Sequence, residues 1–150
     1  MVEFSTEDKI FNFWRFFRQT GVLMGKARQK ELDQYGISIV QSGVIECVHI
    51  SGNNVTPTEI SKWLILRPQS VSGLLNRMEE KGLITKTNDV ERRNVVRVSL
   101  TEKGEQAYNG IIKRKSIYSI IMSMNEEERE QLESILVKLQ TASRNQLRPD

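Results

Sequence analysis

The sequence has little of the residue types on which disulfide-rich, metal-binding and membrane proteins depend. It contains one cysteine and one histidine among 150 residues, so no intramolecular disulfide can form, and a lone cysteine fits a reducing compartment. It also lacks a long apolar run and a signal-peptide pattern, so neither a membrane-spanning helix nor export is indicated. We therefore expect a cytoplasmic protein with no membrane partner.

Sequence motifs for catalysis are missing as well. There is no Gly-rich phosphate loop and no H-E-x-x-H pattern. Cys47 and His49 are two positions apart on a predicted helix, where their side chains point about 200° apart and cannot bind one metal ion together. The sequence thus predicts no catalytic residue, no metal and no cofactor, and it favours packing in or beside the core for both side chains.

Positive charge is in excess only in the middle of the chain. Residues 56–101 contain eight Lys/Arg and five Asp/Glu, whereas residues 1–55 contain six of each and residues 102–150 eight of each. The net charge of +3 therefore comes from the middle third. A local basic surface of this kind is an electrostatic feature of proteins that bind nucleic acid.

A long helix is predicted before this basic region. Residues 5–35 form it, with Ser5 or Thr6 as the cap and Gly36 after the end. Its apolar residues cover too much of the circumference for one buried stripe, so the helix is expected to make contacts on more than one side. These residues are Ile10, Phe11, Phe13, Trp14, Phe16 and Phe17.

Two shorter helices follow. Ser38 caps one that runs to about Ile50, and "SGNN" at 51–54 is a loop. The segment "TPTE" at 56–59 is a capping box with proline at the first helical position, so another helix begins there. Its inner face is expected to carry Ile60, Trp63 and Leu64.

The next segment, "RPQSVSGLLNRMEEKGLI" from Arg67 to Ile84, predicts a helix with an unusual start. Arg67 occupies the cap position and no acid occurs before Glu79, although capping residues and early acids stabilise most helix N-termini. Four apolar residues at helical spacing define a buried stripe: Val71, Leu74, Leu75 and Met78. The opposite side is expected to carry Gln69, Gly73, Asn76 and Glu80, flanked by Ser70, Ser72 and Arg77.

These residues suit the major groove of DNA. Small polar side chains enter it without collision, amides bond base edges, and an acid-free helix N-terminus can face a phosphate. Gly73 costs ~1 kcal/mol relative to alanine in mid-helix, which suggests that something approaches the backbone closely. We therefore predict that Arg67 and the exposed side of this helix contact DNA.

A β-hairpin is predicted after this helix. "LITKT" at 83–87 and "VVRVSL" at 95–100 are β-favouring runs on either side of the polar tip "NDVERRN". Arg92 and Arg93 in the tip are expected to reach phosphate or the adjacent minor groove. Thr101 then caps a helix predicted to reach about Met124, and "NEEE" at 125–128 is a capping box for a last helix. That helix has Leu132, Ile135, Leu136 and Leu139 at helical spacing.

Two segments, "VSGLLNRMEEKGLI" and "ERRNVVRVSLTEKG", stand at a specific spacing within residues 56–104. Together they resemble the winged helix-turn-helix core of the MarR transcriptional regulators, and the flanking helices match that family in arrangement. The resemblance implies a mostly α fold with a small β-hairpin wing (α+β). A core over residues 38–101 would be flanked by dimerisation helices over residues 5–35 and 102–146, and residues 1–150 would form a single domain.

The resemblance also implies a function. Members of the family are homodimers that bind a palindromic operator and usually repress, and many release DNA on binding a small, often aromatic, ligand. The match assigns residues 68–77 to the recognition helix and residues 89–94 to the wing. Glu91 and Arg93 take the roles of the family's Asp-x-Arg pair if one extra residue is accepted before the second strand. Ile65 stands where the turn often has glycine.

Two alternatives stay open. The aromatic cluster of the first helix is expected to pack in the core or the dimer interface, but Phe11, Trp14 and Phe17 could instead line a ligand pocket together with His49. The whole chain could also be a winged-helix module that binds proteins and has lost DNA binding, because fold alone does not fix function. An acidic recognition face would favour that module, whereas this one is neutral to basic.

Overall fold

The long first helical segment ends at a glycine, Gly36, as the sequence predicts. A computed structural model describes residues 6–149 of the chain, so the predicted cap Ser5 lies outside the described residues. Helix α1 spans Thr6–Leu32 and continues into a 3-10 turn at Asp33–Tyr35. Gly36 then has φ 64° and ψ 27°, the left-handed conformation that glycine adopts without a Cβ clash. The helical segment therefore ends at the predicted residue.

The other elements follow in the predicted order, with one additional break. The helices are α2 (Ile39–Ile50), α3 (Pro57–Leu64), α4 (Pro68–Glu80), α5 (Glu102–Ile111), α6 (Lys115–Ile121) and α7 (Glu126–Gln146). The strands are β1 (Ile84–Asn88) and β2 (Val96–Leu100), which pair antiparallel with Ile84 opposite Leu100. The mostly α fold with a small β-hairpin is thus confirmed.

Helix α2 begins at a capping box. The Ser38 hydroxyl accepts a hydrogen bond from the Gln41 N–H at 3.2 Å, and the Gln41 side chain accepts one from the Ser38 N–H at 3.0 Å. The two bonds satisfy N–H groups that helix geometry leaves without an intrahelical partner. Helices α3 and α7 begin with the same motif, so the starts predicted for all three helices are confirmed.

The core forms around α2, which contacts α1, α3, α5 and β2. The predicted buried stripe of α4 packs into it, and Val55 ties the hairpin to the loop before α3 through a bridge to Val98. The Val98 N–H donates to the Val55 carbonyl at 2.7 Å. The largest fully buried side chains are Leu32, Val44, Ile45, Val48, Ile60, Val71, Leu75, Met78, Ile84, Val98 and Ile111.

One residue predicted for the inner face of α3 lies on the outside. Trp63 is 55% exposed, whereas Ile60 is fully buried and Ser61 is 6% exposed. The Ser61 hydroxyl donates to the Thr58 carbonyl at 2.7 Å, so this polar side chain is buried with its hydrogen bond made. The helix is consequently rotated from the predicted orientation, and the assignment of Trp63 to the inner face was wrong.

The helix predicted from Thr101 to about Met124 is broken after α5. Arg114 adopts φ 46°, and α6 starts at the next residue. The buried guanidinium of Arg28 donates to the Ile111 carbonyl at 2.9 Å, an acceptor that a continuing helix would use itself. Arg28 also forms ion pairs with Glu31 at 3.1 Å and with Glu46 at 3.7 Å. This contact from α1 takes the acceptor at the end of α5, and Gly110, a weak helix former, stands one residue before it.

The chain divides into two compact units, the first ending at Arg114 and the second beginning at Lys115. In the second unit, α7 is described along its whole length and has no buried residue. Its Ile135, Val137 and Leu139 are 40–58% exposed. In the first unit, the aromatic residues of α1 from Phe11 to Phe17 are likewise 40–70% exposed. Both helices therefore present apolar side chains to solvent in a single chain.

Candidate nucleic-acid interface

Helix α4 turns one polar face away from the core. Val71, Leu74, Leu75 and Met78 are at most 6% exposed, so the helix is held by one side only. The other side, which we call the recognition face, consists of Gln69, Ser70, Ser72, Gly73, Asn76 and Arg77. All of these are exposed except Gly73, which is half-buried. The residues that the sequence predicts for DNA contact thus lie together on one surface.

The start of α4 has no cap of its own. Arg67 occupies the N-cap position in extended geometry, with φ −70° and ψ 142°, and its side chain makes no cap hydrogen bond. The first turn contains no acid, and Pro68 at the first position has no N–H to satisfy. The positive end of the helix dipole therefore has no carboxylate in its own first turn. Such an N-terminus is suited to an external anion such as a phosphate.

The chain's own packing does not require glycine at position 73. A Cβ added there would meet only the Arg77 Nη1 atom, at 3.5 Å, which is an ordinary contact. Since glycine in mid-helix is unfavourable, a reason outside the chain's packing is more consistent with its presence. The missing side chain lets another molecule approach the helix backbone in the middle of the recognition face.

A lysine of the hairpin holds one recognition residue. Lys86 of β1 places its ammonium 2.6 Å from Asn76 Oδ1 and 3.2 Å from Glu79 Oε2. The Lys86 N–H also donates to Glu79 Oε1 at 3.2 Å. The amide of Asn76 is therefore fixed in one orientation by a side chain that the sequence analysis did not select. Only the fold brings position 86 next to position 76.

The turn between α3 and α4 contains a strained residue. Ile65 has φ 54° and ψ 47°, a left-handed conformation that is an outlier for a β-branched residue. Its side chain is 71% exposed, so packing compensates little of the strain. Ile65 stands where the resemblance to the family predicts glycine, and its backbone conformation is one that glycine adopts without a Cβ clash.

Asp89, and not Glu91, is the acid that organises the wing. Its Oδ1 accepts hydrogen bonds from the N–H groups of Glu91 and Arg92, each at 2.9 Å, and its Oδ2 accepts one from Arg97 Nε at 2.8 Å. The backbone bond from Arg92, then the Arg97 side chain and the Glu91 N–H, hold the pKa of Asp89 below its usual range. An aspartate that bonds N–H groups two and three residues ahead forms an Asx turn, which was the sequence signal for this role.

The two arginines of the wing tip are exposed. Arg92 and Arg93 lie between Asp89 and β2, and their side chains face solvent. The Asp89 carboxylate bonds the backbone of Arg92 and the side chain of Arg97. The turn is therefore fixed at its base while the tip arginines remain available for phosphates.

A polar cluster connects the base of the hairpin to α5. The Asn53 side chain donates to Glu105 Oε1 at 3.0 Å and accepts from the Leu100 N–H at 3.0 Å. Ser99 donates to the Asn53 carbonyl at 2.7 Å. The bond from Asn53, followed by one from His49, lowers the pKa of Glu105. This cluster braces β2, the strand that follows the wing tip.

His49 and Cys47 both belong to the first unit's packing. The His49 ring stacks on Tyr108 with a centroid separation of 3.6 Å, and its Nδ1 lies 3.0 Å from Glu105 Oε2. Cys47 is 2% exposed, and burial raises the pKa of its thiol. These positions confirm packing in or beside the core for the two residues.

The predicted ligand pocket is not assembled by one chain in the described residues. Phe11, Trp14 and Phe17 are 64%, 57% and 40% exposed on α1. His49 has its own partners in Tyr108 and Glu105. A pocket built from these four residues stays a prediction, and it would need another surface to cover the α1 rings.

Residues 6–149 contain neither a candidate metal site nor a helix that could cross a membrane. No group of three or more His, Cys, Asp or Glu side chains there could hold a metal ion. No helix in the same range is long and apolar enough to cross a membrane.

Comparison with known proteins identifies regulators of transcription. The MarR family model matches residues 35–93. The HTH-type transcriptional repressor MdtR of Bacillus subtilis is 28% identical over 116 residues, which are 76% of this chain and 74% of that protein. The uncharacterised HTH-type transcriptional regulator YsmB of B. subtilis is 26% identical over 125 residues, 82% of this chain and 85% of that protein.

Solved structures with the same fold include the organohalide-sensing transcriptional regulator RdhR-CbdbA1625. Its TM-score is 0.83 in the ligand-free form and 0.84 in the 2,4-dichlorophenol-bound form, with 26% identity over 95% of this chain and 85% of that one. Staphylococcus aureus MepR in complex with DNA has a TM-score of 0.79 at 23% identity, covering 93% of this chain and 99% of that one. The likeness to MepR establishes the winged-helix fold alone, and it extends well beyond the residues that the family model matches.

Proposed function

We propose that this chain is a transcriptional regulator of the MarR family, which binds operator DNA as a homodimer and represses transcription. The observation that carries the proposal is the recognition face of α4. Six small or polar residues are grouped opposite a buried stripe, behind a helix start that has neither cap nor acid. Folding stability alone would favour a different start.

The recognition face would enter the major groove of DNA, and the N-terminal end of α4 would lie closest to the sugar-phosphate backbone. The groove is wide enough for an α-helix, and base edges there present donors and acceptors that side chains can bond. The N-terminal N–H groups and Arg67 would face phosphates, while Gln69 and Asn76 would bond base edges. Ser70, Ser72 and Arg77 supply hydroxyl and guanidinium donors on the same surface.

The wing would contact the duplex beside the recognition helix. Arg92 and Arg93 are exposed, and the Asx turn at Asp89 fixes the base of the loop that carries them. Phosphate contacts by such arginines position the protein and add affinity without reading sequence. An arginine inserted into a narrow minor groove would add a preference for A·T-rich flanks.

Two copies would be joined through the terminal helices. The exposed aromatic residues of α1 and the exposed apolar residues of α7 form surfaces of the kind that monomeric proteins rarely leave open. A two-fold dimer presents two recognition helices, so its operator would contain two half-sites related by the same symmetry. The protein would act in the cytoplasm.

The proposed effector is a small aromatic molecule that releases the dimer from DNA. Its support is the solved relative at 26% identity, which has both a ligand-free and a 2,4-dichlorophenol-bound form. Repression as the direction of control is supported by the relative MdtR, a repressor.

The proposal is tested by selecting bound sequences from a duplex library with a randomised centre and by light scattering on the free protein. We expect an enriched palindromic sequence and a particle of about twice 17.3 kDa. A dimer that enriches no sequence and binds no duplex would contradict DNA binding and favour the protein-interaction module. A monomer that still binds the selected duplex would contradict the proposed assembly.

A further inference from the structure

The contact between Lys86 and Asn76 joins the hairpin to the recognition face. The distance between Lys86 Nζ and Asn76 Oδ1 is 2.6 Å, which is short even for a hydrogen bond from a charged donor. The contact spans ten positions of sequence, from the exposed side of α4 to β1. A residue predicted to read bases is thus bonded to a residue that lies outside the recognition helix.

The orientation of the Asn76 amide follows from the chemistry of this contact. A lysine ammonium has three donors and no acceptor, so the Asn76 atom that faces it must be the oxygen. The NH₂ group then points away from Lys86. Asn76 therefore presents two N–H donors to an approaching molecule, while one of the two acceptor positions of its oxygen is already taken by Lys86.

Glu79 keeps Lys86 in this position. One Glu79 carboxylate oxygen lies 3.2 Å from Lys86 Nζ, and the other accepts the Lys86 backbone N–H at 3.2 Å. The Lys86 side chain is 26% exposed, and that of Glu79 is 42% exposed. Two bonds from one carboxylate thus hold the lysine at both its backbone and its ammonium.

We propose that Lys86 determines which base Asn76 reads, and that this base is guanine. Adenine recognition by asparagine needs both amide groups, because the oxygen accepts from adenine N6 while the nitrogen donates to N7. Lys86 occupies one of the two acceptor positions of the Asn76 oxygen with a charged donor, which disfavours a second donor such as adenine N6 at the same oxygen, whereas the NH₂ group can still donate. Guanine presents two adjacent acceptors, O6 and N7, in the major groove. This inference rests on the proposed function, since it concerns the base preference of the same DNA-binding face.

The experiment compares base preferences in the duplex library selected with the parent protein and with variants. Asn76→Ala identifies the operator position that Asn76 reads, because the base preference should disappear there. Lys86→Met releases the Asn76 oxygen, and Lys86→Gln repeats the test with a polar side chain. Lys86→Arg keeps a donor toward Asn76. Lys81→Met removes one exposed lysine next to the C-terminus of the same helix and controls for the lost charge.

At the Asn76 position, we expect the parent to favour guanine over adenine by about fivefold or more, as one well-formed polar contact provides. Lys86→Met and Lys86→Gln should reduce this ratio to near one or reverse it, while Lys86→Arg and Lys81→Met should keep it. A ratio of frequencies at one position cancels any general loss of affinity.

The inference would be overturned by a parent that prefers adenine at this position, or by Lys86 variants with an unchanged ratio. It would also be overturned if Asn76→Ala altered no position while the parent still enriched a defined sequence, and in that case the proposed function would stand. A parent that enriches no sequence at all would overturn both.

Discussion

Helices α3 and α4 both begin with an extended N-cap residue and proline at the first helical position, but only α3 has a side-chain cap and an acid in its first turn. At α3, the Thr56 hydroxyl accepts from the Glu59 N–H at 3.2 Å, and the Glu59 carboxylate accepts from the Thr56 N–H at 2.8 Å. At α4, Arg67 makes no cap hydrogen bond and no acid lies in the first turn. Capping residues usually stabilise a helix by about 1 kcal/mol, so α4 begins without a stabilisation that α3 has.

The difference separates residues that serve folding from residues that serve binding. A carboxylate at the start of α4 would complement the helix dipole, but it would also repel a phosphate at the same place. At α3 the acid is present, and bonds from the Thr56 backbone N–H and hydroxyl lower the pKa of Glu59. We therefore propose, from this contrast within one helix-turn-helix, that the start of α4 is kept open for an anion.

The largest effect on DNA affinity is expected from the arginines of the wing, which are proposed to contact DNA as α4 does. Arg92→Ala should weaken specific and random DNA alike and flatten the slope of log affinity against log salt. A dimer loses two contacts, so the change should be nearly 2, at about 0.9 for each phosphate contact. Arg93→Ala should lose more affinity on A·T-rich than on G·C-rich flanks. Fluorescence anisotropy across salt concentrations measures both.

Arg144→Ala, which removes an equal charge from the last turn of α7, is the control for the wing variants. Its slope should stay close to that of the parent. If Arg92→Ala and Arg93→Ala both keep the parent slope, the wing does not touch DNA and only α4 can carry the binding.

A smaller effect is expected on the free energy of unfolding when the N-cap residues of α3 and α4 are each replaced by alanine. Thr56→Ala removes the cap of α3 and should lower the free energy of unfolding by about 1 kcal/mol. Arg67→Ala removes no cap and should change it by much less, while it weakens DNA binding. Chemical denaturation of both variants provides the comparison. Equal losses of stability would mean that Arg67 supports the fold after all.

A substitution in the turn between α3 and α4 should raise the stability of the fold, whereas Thr56→Ala lowers it. Ile65→Gly relieves left-handed backbone strain of roughly 1–2 kcal/mol and adds unfolded-state entropy of roughly 0.5–1 kcal/mol. The net result is a stabilisation of up to about 1.5 kcal/mol, seen as a higher melting temperature. Ile65→Ala keeps the Cβ atom and should gain less. A glycine variant less stable than the parent would show that the exposed isoleucine side chain makes a stabilising contact.

The smallest effect is the pH dependence of the α3 cap. Because the pKa of Glu59 is lowered in the folded protein, its charged form stabilises the fold above the ordinary glutamate range. This contribution is lost as the pH falls through the folded pKa. The difference in unfolding free energy between the parent and Glu59→Gln should therefore shrink below the ordinary range. A difference that stays constant with pH would exclude the charged cap, and exposure to solvent keeps the whole effect small.

Local patterns predicted most of the helix starts and the buried stripe of α4. Ser38, Thr56, Thr101 and Asn125 each have the side chain that a cap requires, and each accepts the expected backbone N–H. These features depend on residues three or four positions apart, so the sequence contains all the information that they need.

The features that the sequence did not predict depend on contacts between distant residues. The end of α5 coincides with a bond from Arg28, which is 83 positions from Ile111, although the neighbouring Gly110 is a local signal of a weakened helix. The exposure of Trp63 depends on the rotation of α3 about its axis where it packs against α2. Lys86 reaches Asn76 only because the hairpin folds against α4. Asp89 is different, because its Asx turn involves only residues two and three positions ahead, whereas the family pattern assigns the acidic role to Glu91.

The central claim is that the start of α4 is left without a cap and an acid so that it can bind DNA, and grafting the α3 start onto α4 tests it most directly. Arg67→Thr with Ser70→Glu converts "RPQS" to "TPQE", a capping box like "TPTE" at α3. We predict that the free energy of unfolding rises by about 1 kcal/mol while affinity for the selected duplex falls at least about tenfold, since both half-sites lose a phosphate contact and gain an acid.

Arg67→Thr with Ser70→Gln builds the same box without the charge and serves as the control. It should gain similar stability and lose less affinity than the glutamate graft. The two variants are measured by chemical denaturation and by fluorescence anisotropy on the selected duplex. A glutamate graft that is more stable than the parent and binds the duplex as tightly would contradict the claim.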